Sequence, residues 1–147
     1  MKTLWDESSR DELKKRLGLL QADTKPLWGG MNAPQMVAHL GSSMQMATGE
    51  LKVAPKKLPI RFPPLKQLII YWLPWPKGTP TAPELLTNEP AEWAEGIARL
   101  RRGIDRFGAR KRDGAWPDHP AFGRMTHRSW GVLAYRHIDH HFRQFGV

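Results

Sequence analysis

The segment WGVLAYRHIDHHFRQFGV, residues 130–147, carries the pattern that decides the fold. Apolar side chains recur in it at the i, i+3, i+4 spacing of a helix that buries one face, and Gly146 is a natural C-terminal stop. We expect this last helix to run from about Thr126 to Phe145. Its inward stripe comprises Trp130, Leu133, Ala134, His137, His141, Gln144 and Phe145.

Two histidines lie on this stripe, one helical turn apart. His137 and His141 are four residues apart in the chain, so their Cβ atoms should lie about 5–6 Å from each other. Imidazoles placed in this way can direct their nitrogens at one ion, about 2.0–2.1 Å from each nitrogen for zinc. His140 is rotated by about 100° from His141, and we expect it, like His127, to be exposed.

Two further helices are predicted in the first third of the chain. The first spans about Glu7–Leu20, and its N-terminus can be capped by Asp6, Ser8 or Ser9. The second follows Asn32, a good N-cap residue, and has Pro34 in its first turn, where the missing N–H costs nothing. Gly49 marks the end of this helix.

A third long helix is predicted after residue 88. Thr87 or Asn88 can cap it, and Pro90 lies in its first turn. Acidic residues cluster near its start and basic residues near its end, as the helix dipole favours. Its apolar stripe has helical spacing and comprises Trp93, Ile97, Leu100, Ile104 and Phe107.

The region between the second and third long helices is rich in proline and predicts mainly loop. One short helix is expected in PPLKQLIIYWLP, residues 63–74, and its apolar part LIIYWLPW can either join the core or form a dimer contact. Four long helices at this chain length predict an all-α fold, a four-helix bundle with long proline- and tryptophan-rich loops. We expect a single domain over residues 1–147.

Composition limits the classes of protein that remain. The 147 residues include no cysteine, which excludes disulfides, thiolate metal sites and cysteine nucleophiles. The N-terminus has no apolar run, and the most apolar window is far shorter than the roughly 20 residues of a membrane-spanning helix. We therefore expect a cytoplasmic protein that does not bind a membrane. The formal net charge of +9 favours an anionic partner without identifying it.

His39 extends the histidine pattern to the second helix. It lies on the same predicted inner face as Met36 and Leu40, and helix bundles form metal sites from side chains on facing helices. Three histidine ligands leave a position open for water or substrate, which is typical of catalytic sites. The spacing alone is a weak indication, and a single inward histidine such as His39 is more often a hydrogen-bonded core residue.

Several longer segments resemble the DinB-like superfamily of metal-binding four-helix-bundle proteins, in particular an uncharacterised branch of small bacterial proteins. They are NAPQMVAHLGSSMQMATGE, PIRFPPLKQLIIYWLPWPKGTPTAPELL, HPAFGRMT and WGVLAYRHIDHHFRQFGV. The resemblance implies a metal triad at His39, His137 and His141, a divalent ion that is often zinc or nickel, and a homodimer. Members of known activity include S-transferases and isomerases that use a low-molecular-weight thiol.

Other polar groups can assist such a site. His119, in the loop before the last helix, can be a fourth ligand or a proton shuttle; the favoured interpretation is a loop histidine that binds backbone groups. Glu50, Asp118 and Asp139 are available as partners of metal-bound histidines, but none is assigned. Gln144 fits either a position in the cleft or one on the surface.

The basic stretch RLRRGIDRFGARKR, Arg99–Arg112, holds seven basic residues and one acid. It can contact nucleic-acid phosphates or the carboxylates of a small substrate, but a solvated helix end is preferred because no recognition motif accompanies it.

Two functions therefore compete. The first is a metal-dependent enzyme, a hydrolase or thiol S-transferase, that activates water or a small thiol. The second is a non-catalytic basic helical protein that binds nucleic acid or another anionic partner, with a structural metal or none. Neither a GxSxG motif nor a phosphate-binding P-loop is present.

Overall fold

The computed structural model describes residues 1–78 and 92–147, and within them the regular secondary structure is entirely helical. The helices are α1 (Glu7–Leu17), α2 (Ala33–Thr48), α3 (Leu65–Tyr71), α4 (Trp93–Ala109) and α5 (His127–Gln144), with a 3₁₀ turn at Pro59–Arg61. The predicted all-α class is confirmed.

Local capping explains why α2 and α5 begin where they do. The Asn32 side chain accepts a hydrogen bond from the Gln35 backbone N–H at 2.8 Å, and the Gln35 side chain accepts one from the Asn32 N–H at 2.9 Å. These two bonds form a capping box. Gly49 ends α2 with a φ of 82°. The Thr126 hydroxyl accepts from the Ser129 N–H at 3.1 Å and so caps α5.

The other two long helices differ from their predicted bounds. α1 ends at Leu17 rather than Leu20, because Gly18 follows and glycine is a poor helix former. Leu20 is nevertheless buried. α4 begins at Trp93, and the predicted caps Thr87 and Asn88, together with Pro90, lie outside the described residues.

The four long helices surround a common apolar core. α2 and α1 each contact both α4 and α5, so inward residues from all four meet. Three residues of the predicted apolar stripe on α4 are fully buried, namely Leu100, Ile104 and Phe107. The other two, Trp93 and Ile97, are partly buried against the core. The core also takes up Leu13, Leu17, Met36, Leu40, Trp130, Ile138 and Phe142.

α3 lies on the outside of this assembly, against α5. The Arg136 guanidinium donates to the backbone carbonyls of Ile69 at 2.9 Å and Ile70 at 2.6 Å, which ties the end of α3 to α5. Ile70 is buried, whereas Trp72 and Leu73 are exposed. The segment LIIYWLPW therefore supplies both core and exposed apolar surface. No helix in the described residues is long and apolar enough to cross a membrane.

Candidate metal centre

Three histidine side chains from two helices converge between α2 and α5. Nε2 of His39 lies 3.0 Å from Nε2 of His137. His141, one turn further along α5, brings a third nitrogen, and the three candidate ligand atoms lie within 4.8 Å of one another. The structure thus brings together the three residues that the sequence predicted to share a site.

The distances suit a single bound ion. Two nitrogens about 2.0–2.1 Å from one ion in tetrahedral geometry lie roughly 3.4 Å apart. The separation of 3.0 Å between Nε2 of His39 and Nε2 of His137 is slightly shorter than this value, and the 4.8 Å within which all three ligand nitrogens lie is longer. Binding of one ion therefore requires a small adjustment of the rings. The donor set, three imidazole nitrogens, is one that zinc, nickel and other borderline divalent ions accept.

Burial keeps the two imidazoles of α5 uncharged. Burial, together with a smaller contribution from the neighbouring His39, lowers the pKa of His141 to about 3. Burial likewise lowers the pKa of His137 well below its usual range, with His39 and His141 adding to the effect. A neutral imidazole retains one nitrogen lone pair, so both side chains of α5 can act as ligands at neutral pH.

Gln144 orients the ring of His141. Its Nε2 donates to the Trp28 backbone carbonyl at 2.8 Å, which turns its oxygen toward His141. Nδ1 of His141 lies 2.8 Å from that oxygen and must therefore donate to it. The hydrogen is then on Nδ1, which leaves the lone pair of Nε2 available for an ion. Gln144 is buried, so its position is in the site rather than on the surface.

The loop before α2 makes room for this amide. Gly29 has a φ of +83°, and a Cβ atom at this position would lie 2.3 Å from Nε2 of Gln144. Only glycine accommodates both the backbone conformation and the close approach. Trp28 and Gly29 were not predicted as site residues.

The nearby carboxylates serve other groups. Asp139 binds Arg16 at 2.7 Å and Arg143 at 3.1 Å. Glu50 lies 3.3 Å from Arg106, and Asp118 is exposed. The polar partner identified for a site histidine is therefore the Gln144 amide rather than a carboxylate.

His119 caps its own loop, as the favoured interpretation of the sequence held. Its Nδ1 accepts hydrogen bonds from the backbone N–H groups of Ala121 at 3.1 Å and Phe122 at 3.2 Å. It is not a member of the convergent histidine group. Burial lowers the pKa of His119 to about 4, so it is neutral at pH 7 and poorly suited to shuttle protons there.

The remaining two histidines differ from each other. His127 is exposed, as predicted. The prediction that His140 is exposed was wrong, because it is half-buried between tryptophans. Its ring centroid lies 5.9 Å from that of Trp75 and 6.2 Å from that of Trp28, which reach over α5 from two loops.

A cavity of about 760 Å³ opens beside the three histidines. Its wall is mainly apolar and comes from α2, α5, α3 and the loops, and all three histidines form part of it. The loop residues Trp28, Leu58, Trp75 and Phe122 contribute the large side chains. The three histidines therefore border a partly open cavity of ligand size.

The basic stretch Arg99–Arg112 lies mainly on α4. Arg99 donates to the Gln45 side chain at 2.5 Å, and Arg102 binds Glu95 at 2.7 Å. Arg110 donates to backbone carbonyls of Thr48 and Ala115. Several of these cations thus have partners within the chain.

Comparison with known proteins places the chain in a family. No curated protein and no solved structure matches it. Residues 8–146, nearly the whole chain, match a family described as Protein of unknown function (DUF1569). The chain belongs to this family.

Proposed function

We propose that this chain is a DinB-like four-helix-bundle protein that holds one divalent ion, zinc or nickel, on His39, His137 and His141, and that it is an enzyme. The observation that carries the proposal is the convergence of three ligand nitrogens within 4.8 Å on two packed helices.

The position of the cavity supports an enzyme over a purely structural metal site. A structural ion is enclosed by protein ligands, whereas a catalytic one keeps an open position. Three protein ligands leave such a position, and all three histidines form part of the cavity wall.

An ion held there would supply Lewis acidity, which lowers the pKa of bound water or a thiol and polarises a substrate carbonyl. The chain's own residues have separate tasks. Gln144 holds the His141 ring in the ligating tautomer, and the apolar wall excludes bulk water. Activation of water corresponds to a hydrolase, and activation of a small thiol to a thiol S-transferase.

The non-catalytic alternative has less support. A nucleic-acid surface needs cations that are free to contact phosphates, whereas Arg102 and Arg106 lie against Glu95 and Glu50. Such a function also leaves the cavity beside the histidines without a role.

Metal content tests the proposal. Protein purified without an affinity tag or chelator should contain about one divalent ion per chain by elemental analysis. The variants His39→Gln, His137→Gln and His141→Gln should each lose the ion while the helical circular dichroism persists. His127→Gln, at the exposed histidine, is the matched control and should retain it. Wild-type protein that cannot be loaded with zinc or nickel would refute the metal site.

A second test addresses catalysis. Loaded protein is compared with His141→Gln on panels of aryl esters and of thiols with electrophiles. Turnover that depends on the ion supports the enzyme; its absence, combined with steeply salt-dependent binding to nucleic acid in metal-free protein, supports the alternative.

A further inference from the structure

The lining of the cavity carries almost no charge. Lys56 is the only lysine, arginine or acidic residue among the described residues that line the cavity. Most of the wall consists of aliphatic and aromatic side chains, among them Leu58, Ile69, Leu73 and Trp75. A ligand with several charges would lose its hydration here without receiving counter-ions.

The polar groups of the wall are concentrated near the histidines. One cluster of polar side chains in the lining comprises His39, His137, His140, His141 and Gln144. A ligand that fits both parts has an apolar body and one polar head, with the head at the histidine group.

His119, one of the residues that line the cavity, adds a hydrogen-bond donor. Its Nδ1 accepts from two backbone N–H groups and so bears the lone pair. In a neutral imidazole the hydrogen is then on Nε2. No described residue accepts a hydrogen bond from that nitrogen, and His119 lines the cavity. Its Nε2–H is therefore available to an oxygen of a ligand.

We infer that the cavity binds an apolar molecule with a single oxygen-bearing head, such as a carboxylate or an ester carbonyl, and that His119 donates a hydrogen bond to that oxygen. The inference rests on the proposed function for the location of the head beside the metal. It narrows the substrate class: a multiply charged low-molecular-weight thiol does not match this wall, whereas an aliphatic or aromatic acid or ester does.

A chain-length series tests the apolar part. Hexanoate, octanoate and decanoate are titrated into metal-free and zinc-loaded protein, with binding followed by tryptophan fluorescence and calorimetry. Affinity should rise about three- to fourfold for each buried methylene. Reduced glutathione and decyltrimethylammonium should bind far more weakly than decanoate. A flat series, or glutathione binding tighter than decanoate, would overturn the inference.

One substitution at His119, with a control at His127, tests the hydrogen bond from His119. His119→Asn retains an acceptor in place of Nδ1, so the loop stays capped, but lacks the Nε2–H. It should weaken decanoate about tenfold, as for a lost hydrogen bond to a charged group, while His127→Asn leaves binding unchanged. Equal affinity of His119→Asn and wild type for decanoate would show that His119 does not donate a hydrogen bond to the ligand.

The outcomes also separate this inference from the proposed function. A rising chain-length series in metal-free protein, in a chain that cannot be loaded with any divalent ion, refutes the metal enzyme and leaves the apolar ligand site standing. Metal binding without a chain-length effect refutes the apolar ligand site and leaves the proposed metal enzyme standing.

Discussion

Nδ1 of His141 and Oε1 of Gln144 lie 2.8 Å apart, and both side chains are buried. This contact links the proposed metal ligand to the loop before α2, because the same amide donates to the Trp28 carbonyl. One hydrogen-bonded path therefore sets which nitrogen of His141 faces the other two histidines.

Replacement of Gln144 should weaken metal binding without removing any ligand. Gln144→Leu is expected to lower zinc affinity about 10–100-fold, the usual effect of losing the outer partner of a ligating histidine. Competition with a chelator measures the affinity. Gln67→Leu, at an exposed glutamine of α3, is the control. Unchanged affinity in Gln144→Leu would show that the ring is oriented by packing alone.

Gly29 should be sensitive to the addition of one methyl group. Gly29→Ala is expected to destabilise the fold by about 1–3 kcal/mol and to lower zinc affinity, because the Cβ atom would displace the Gln144 amide. Gly30→Ala is a matched control, since no atom lies within 4 Å of a Cβ there. Urea unfolding and chelator competition measure the two effects; similar results for both variants would contradict this role of Gly29.

The buried His119 should make the fold sensitive to acid. Its pKa is lowered from 6.5 to about 4 by burial, so below pH 6.5 the unfolded chain takes up a proton that the folded chain does not. Stability should therefore fall as the pH drops from 6.5 toward 4, by up to about 3 kcal/mol from this residue. In urea unfolding at pH 7 and 4.5, His119→Asn should lose less stability than wild type. Equal losses would mean that His119 is protonated in the folded protein.

Gly131 on α5 lets the N-terminal segment approach the helix. A Cβ atom there would lie 2.3 Å from Oγ1 of Thr3 and from Cδ1 of Trp5. Gly131→Ala should therefore lower the free energy of unfolding by about 1–3 kcal/mol. Gly41→Ala on α2 meets only ordinary contacts and should be neutral or stabilising through helix propensity. Thermal unfolding of both variants measures these effects. A Gly131→Ala variant as stable as wild type would contradict the close packing of Thr3 and Trp5 against α5.

The exposed apolar surface around α3 bears on the predicted homodimer. Phe62, Leu65, Leu68, Trp72 and Leu73 are all exposed, and such patches are frequent in subunit contacts. If they form the contact, Trp72→Glu should shift the protein from dimer to monomer in sedimentation, with no change in circular dichroism. A wild-type monomer, or a variant that remains dimeric, would place the contact elsewhere or remove it.

Local sequence patterns predicted most of the helical elements. The capping residues Asn32 and Thr126 and the stop at Gly49 act through neighbours in the chain, so α2 and α5 could be bounded within about a residue. The end of α1 was missed, because helix ends depend on weak local preferences that packing readily overrides.

The helical spacing of His137 and His141, and the inward position of His39, were likewise determined by the sequence, since side-chain direction on a helix follows from its 3.6-residue period. Only the tertiary structure decided that the three rings meet. It also decided that Gln144 orients one of them, that Gly29 leaves room for this, and that His140 is half-buried under Trp28 and Trp75. Those relationships join residues up to 116 positions apart, and no local preference encodes a contact that arises only when separate loops and helices pack together.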